Sequence, residues 1–122
     1  MNQEEKQLLL KDLSARLPYH CRVFYEYVDD LDNKTYGYSL TLNTWCIDEF
    51  VANKAVIKPY LRPMDSMTEE EKVKYHSYCD NYYDVHFYTI ESIDYLNSIH
   101  VDYRSLIPKG LALEAPKDMY KL

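Results

Sequence analysis

The chain has 122 residues, 47% of them hydrophobic and 28% charged, which supports one domain spanning residues 1–122 and excludes wholesale disorder. Twenty acids against 14 bases give a net charge of −6, and the excess lies in residues 65–94, where eight acids meet two bases. Such a surface disfavours phosphate backbones and anionic membrane surfaces, so neither nucleic acid nor membrane is an expected partner, and no apolar run approaches the ~18 residues of a membrane span.

The first ten residues, MNQEEKQLLL, lack a basic region and a small-residue cleavage site, so no signal peptide is expected. Three widely spaced cysteines, Cys21, Cys46 and Cys79, read as reduced, mostly buried thiols. The expected compartment is the cytoplasm.

Residues 3–17 read as a helix. Leu10, Leu13 and Leu17 form its apolar stripe with Leu9 beside them, Glu4 and Glu5 suit its start, Arg16 its end, and Pro18 closes it.

Residues 20–28 and 35–43 alternate as strands around the polar linker DDLDNK and read as a β-hairpin. Pairing Val28 with Thr35 sets Tyr27 against Tyr36, Tyr25 against Tyr38, Val23 against Leu40 and Cys21 against Leu42. These eight side chains then share one sheet face, which a one-residue slip would destroy. The other face carries Arg22, Phe24, Glu26, Gly37, Ser39 and Thr41 and is mostly polar. Helices are therefore expected on one side only, the pattern of an α+β domain.

Residues 44–58 are compatible with a third strand or a short helix, with Trp45, Ile47, Phe50 and Val51 assigned to the core. Two prolines in KPYLRPM (58–64) predict an extended segment. Thr68 and Glu71 form a capping box that opens a helix running to about Tyr82, with the dipole explaining the acids at its start. A second capped helix begins near Thr89, with Ile90, Ile93, Leu96 and His100 as its stripe. DYRSLI (102–107) reads as one further helical turn, stopped by Pro108 and Gly110. An extended tail follows, with Leu111 and Leu113 tucked in.

Fourteen tyrosines stand against three phenylalanines and one tryptophan. Tyr has an apolar body and a polar tip, so such enrichment suits an interface. Tyr25, Tyr27, Tyr36 and Tyr38 are the candidate partner-binding surface. With two glycines in the chain there is no phosphate-cradling loop and no dinucleotide fingerprint.

A second candidate cluster, for a phosphate or carboxylate ligand, is Lys58, Tyr60 and Arg62, which alternate along the proline-framed segment and point the same way. Tyr103 and Arg104 repeat the theme. The competing and preferred reading pairs Arg62 and Arg104 with nearby acids that stitch these segments to the helices. His76 and Cys79, with Asp80, Asp84 and His86 downstream, lack the second ligand pair of a zinc site, so no metal is expected; the plainer reading places His76 and Cys79 on a helix face packed against the sheet. No cysteine is set beside an activating base, so no catalytic residue and no cofactor are assigned, and the chain is not expected to be an enzyme.

KPYLRPMDSMTEEEK (58–72), TIESIDYLN (89–97), DYRSLIPKGLALEAPKDMY (102–120) and LLLKDLSARLPY (8–19) resemble a family of short uncharacterised proteins of gut anaerobic bacteria and their phages or mobile elements. The resemblance covers about half the chain, in order, and leaves residues 20–57 unmatched. It implies a small accessory protein and carries over no activity or site residue. The expected function is a non-enzymatic interaction protein that binds a protein partner through a Tyr-rich and acidic surface and is able to self-associate through sheet edges. The alternative is a small-ligand or nucleotide-binding protein using Lys58, Tyr60, Arg62 and Arg104.

Overall fold

A computed structural model describes residues 1–82 and 85–120. Helix α1 (Gln3–Arg16) starts at a reciprocal cap, in which Asn2 Oδ1 accepts the Glu5 N–H at 2.8 Å and the Glu5 carboxylate accepts the Asn2 N–H at 3.2 Å. It ends one residue before the expected Leu17, where Pro18 tightens the chain into a 3-10 turn, Leu17–Tyr19. The buried stripe is Leu9, Asp12, Leu13 and Arg16, while Leu10 and Leu17 are half-buried. This corrects the Leu10–Leu13–Leu17 stripe: the helix is rotated so that an ion pair, rather than two more leucines, enters the interior.

Strands β1 (Arg22–Val28) and β2 (Thr35–Thr41) form the antiparallel hairpin. Tyr27 faces Tyr36, Tyr25 faces Tyr38 and Val23 faces Leu40, as the alternation requires. The Leu42 N–H donates to Cys21 O at 2.8 Å, continuing the register one step past the strands. At the turn, Asp29 Oδ1 accepts the N–H groups of Leu31 and Asp32, and Asn33 takes a left-handed φ of 60°. Gly37 answers a packing need: the Phe24 ring lies across it, so a Cβ there would sit 2.4 Å from the end of that ring.

Residues 44–58 hold both elements left open by the sequence. Helix α2 (Thr44–Val51) is capped by Asn43, whose side chain accepts the Cys46 N–H at 2.9 Å, and strand β3 (Ala55–Leu61) follows. Of the four core residues expected here, Phe50 is buried and Ile47 half-buried, but Trp45 and Val51 are exposed and Cys46 takes the inward position.

Helix α3 (Glu69–Tyr78) begins at the Thr68–Glu71 box and ends four residues before the expected Tyr82. Cys79 is extended, and β4 (Asp80–Tyr82) pairs with β5 (Val85–Phe87) in a small separate hairpin. The aromatic-rich sequence after Cys79 prefers a strand to a helix. Helix α4 (Ile90–Ser98) is capped by Thr89 and Ser92. Its inner face is Ser92, Leu96 and Asn97, continued by Ile99 and His100, while Ile90 is 78% exposed and does not belong to the stripe.

Residues 102–107 do not form the expected helical turn. The Asp102 carboxylate instead accepts the N–H groups of Leu106 and Ile107, both at 2.9 Å, and closes a loop that a helix would leave open. Strand β6 (Leu113–Glu114) then pairs with β3 in parallel, with Leu111 buried and Leu113 half-buried.

The main sheet has the order β2-β1-β3-β6, with β1 central and antiparallel to both neighbours. Its inner face, with Cys21, Val23, Tyr25, Ile57 and Leu61, packs with Leu9 and Leu13 of α1 and Cys46 and Phe50 of α2. A second apolar cluster joins α3 and α4 through Met67, Tyr75, Cys79, Leu96, Ile99 and Val101. The fold is α+β, and no helix among the described residues is long and apolar enough to cross a membrane.

Candidate functional site

The aromatic residues of the hairpin gather on the sheet face that α2 partly covers. Tyr25 is only 3% exposed, so it supports this surface from beneath rather than forming it. Trp45 of α2 stacks on Tyr25 with centroids 5.2 Å apart, and Tyr38 leans on Tyr25 from the neighbouring strand at 5.5 Å. Tyr27 stacks on Tyr36 at 5.9 Å and meets Tyr38 edge-on at 6.4 Å. Tyr36, Tyr38 and Trp45 are 41%, 45% and 50% exposed, so their outer faces are in water while their inner faces are held by other rings.

Tyr25, Tyr27, Tyr38 and Trp45 line one side of an open groove of about 1170 Å³ between the hairpin and α2, while Tyr36 stands beside it on Tyr27. Asp29, Asp30 and Glu49 bring three carboxylates to its walls, against the ammonium groups of Lys6 and Lys54, and Glu26 lines it from the strand's other face. Lys6 is already engaged, donating to Val51 O and Asn53 Oδ1 at the C-terminal end of α2. The groove is therefore aromatic in floor and acidic in rim. Burial and the nearby Glu49 carboxylate raise the Tyr25 pKa above its usual value, which keeps the phenol neutral. At the hairpin tip the Tyr36 hydroxyl donates to Asp32, which lowers the Asp32 pKa and fixes the ring's orientation. Trp45 is the aromatic that the sequence misassigned. It reads as core because it is large and apolar, and only its position on the outer side of α2 exposes it.

The second candidate cluster is divided among separate partners. Val56, Lys58 and Tyr60 point away from the core on β3, as alternation demands. The Tyr60 hydroxyl bonds Ser39 Oγ at 3.1 Å. Arg62 makes a two-pronged pair with Glu71, at 2.8 and 2.7 Å, and donates further to the carbonyls of Ile99 and Ser66. This pairing raises the Arg62 pKa and lowers that of Glu71. Arg104 Nε pairs with Asp12 Oδ1 at 3.2 Å, and its Nη2 donates to the Tyr103 hydroxyl, which donates to Asn97 Oδ1. Both arginines thus stitch segments together, and the fold does not gather Lys58, Tyr60, Arg62, Tyr103 and Arg104 around one point.

A buried polar knot was missed in the sequence. Arg16 and Asp12, both fully buried, pair at 2.8 Å, and Arg16 Nη2 donates to Val101 O. The guanidinium groups of Arg16 and Arg104 both approach the Tyr103 ring, 5.2 and 4.9 Å from its centroid. His100, at a left-handed φ of 64°, stacks flat on Tyr120 at 3.7 Å. Burial, with the positive charges of Arg16 and Arg62 and the nearby His20, lowers its pKa to about 4. The available signal was the i, i+4 spacing of Asp12 and Arg16 on the Leu9–Leu13 face.

The cysteines are buried thiols. Burial raises the Cys21 pKa to about 11 and also raises that of Cys46, the opposite of what a nucleophile needs. His76 is exposed on α3 while Cys79 is buried in the α3–α4 cluster, so the two do not share a face packed on the sheet. Asp84 and the side chain of His86 lie outside the described residues. Among those described, no group of three or more metal-ligating side chains is assembled. No family model matches the chain, and no curated protein and no solved structure matches it either.

Proposed function

We propose that this chain is a small non-enzymatic interaction protein that binds a protein partner through the Tyr-rich, acidic groove between the hairpin and α2. The observation that carries this reading is the pair Tyr38 and Trp45, half-exposed in the groove and braced from below by Tyr25, with Tyr36 stacked on Tyr27 beside them. Rings held rigid in this way offer contact area at little entropic cost. The acidic rim sets the partner's sign. Arginine or lysine side chains of an extended segment would stack on the rings while their charges meet Asp29, Asp30 and Glu49. The cytoplasm and a phage or mobile-element setting belong to the same proposal and rest on the sequence reading.

Trp45 is the single tryptophan and lines the groove, so it serves as a built-in reporter. A short peptide alternating arginine and threonine should change its fluorescence saturably, and added salt should weaken the binding. Tyr38→Ala should weaken binding at least about tenfold while shifting Tm by only a few degrees. An equal response to a peptide alternating glutamate and threonine, or no saturable response to either, would overturn the proposal.

A further inference from the structure

Strand β2 closes the main sheet on one side, and among the described residues nothing pairs with its outer edge. Edge strands are normally guarded by charge, proline or a bulge. β2, TYGYSLT, carries no charged residue and no proline across seven positions, in a chain that is 28% charged. Its pairing with β1 is regular from end to end.

The register says which groups the open edge offers. Asp29 N donates to Lys34 O, and Leu42 N donates to Cys21 O. Hydrogen-bonded pairs therefore alternate through Tyr36, Tyr38 and Leu40, whose backbone groups are spent on β1. The N–H and C=O groups of Thr35, Gly37, Ser39 and Thr41 point outward.

We infer that β2 pairs antiparallel with β2 of a second copy of this chain, about a two-fold axis at Tyr38. That register uses all seven residues of the strand. Gly37 meets Ser39 of the other copy and Thr35 meets Thr41, and these are the residues whose backbone groups face away from β1, the Thr41 carbonyl accepting only a long 3.5 Å bond from Asn43 Nδ2. Tyr38 meets its own counterpart and Tyr36 meets Leu40 in the closely spaced, non-hydrogen-bonded positions, where side chains touch best. No charged side chain on the strand opposes another, which matters for a chain of net charge −6. The antiparallel arrangement also sends the two acidic hairpin tips, with Asp29, Asp30 and Asp32, to opposite ends of the joint. The aromatic faces of both copies lie on the same side of the extended sheet, so the interface would double the groove surface. The pairing concerns the strand edge and stands whether or not the groove binds a cationic segment.

Light scattering during size-exclusion chromatography of the full chain at micromolar concentration should give twice the monomer mass. Thr35 and Thr41 are exposed and lie opposite each other only across this joint. Thr35→Glu with Thr41→Glu sets carboxylates against carboxylates and should yield monomer with unchanged Trp45 fluorescence. Thr35→Lys with Thr41→Glu sets opposite charges together and should restore the dimer. A monomeric wild-type chain would overturn the inference, as would the same mass for both double variants.

Discussion

Asp12→Ala is the most informative single perturbation of this fold. Asp12 is fully buried, and its two oxygens hold Arg16 at 2.8 Å and Arg104 at 3.2 Å. Without the carboxylate, Arg16 keeps only the Val101 carbonyl and the Tyr103 ring, in a site with no access to water. Removing one partner of a buried ion pair costs about 3–5 kcal/mol, because the other charge stays buried and uncompensated. For a chain of 122 residues that corresponds to a fall in Tm of roughly 12–20 °C. Arg104 adds little to the loss, since its side chain is 18% exposed and can turn to solvent. Replacing both ions with apolar groups of similar size, Asp12→Leu with Arg16→Met, should recover most of the stability, because the stranded charge is gone. Urea unfolding followed by Trp45 fluorescence measures all three proteins. As a control, Glu69→Ala breaks the exposed Glu69–Lys72 pair and should change stability by less than about 0.5 kcal/mol. A loss below about 1 kcal/mol for Asp12→Ala, or a double variant less stable than the single one, would refute this account of the buried knot.

Two further perturbations probe other parts of the same framework. The folded-state pKa of His100 is depressed to about 4 from 6.5, so its contribution is fully present above pH 6.5 and is lost as pH falls towards 4. The loss is at most about 3 kcal/mol. His100→Asn, which tolerates the left-handed backbone, should flatten stability against pH in that window; identical slopes for both proteins would contradict it. Gly37→Ala should cost about 1–2 kcal/mol by pushing the Phe24 ring off the strand. In a Phe24→Ala background the same change should be neutral or slightly stabilising, and a double-mutant cycle without coupling would dismiss the contact.

Local rules carried far where one mechanism dominated. The hairpin register follows from alternation alone, because any slip would move Val23 and Tyr25 out of the core. The Thr68–Glu71 and Thr89 caps are equally local, each needing only a hydroxyl and residues three positions on. Boundaries failed where two tendencies competed, as after Tyr78, where an aromatic run turned the last residues of the expected helix into β4. The candidate site was half legible. Tyr27, Tyr36 and Tyr38 could be placed on one face, but nothing local distinguishes Tyr25 beneath the surface from Tyr38 upon it, since both occupy inward positions of paired strands.

By itself, then, the sequence determined the α+β class, the hairpin with its pairing, the capped helix starts and the pairing of tyrosines on one sheet face. Those features depend on periodicity and on groups a few residues apart. The tertiary structure alone decided which of those tyrosines α2 covers, that Trp45 lies in the open groove, that Arg62 is held by Glu71, and that Asp12 and Arg16 are buried. Burial and long-range pairing depend on how elements far apart in sequence pack against one another, and a buried charge is tolerated only where that packing supplies its partner.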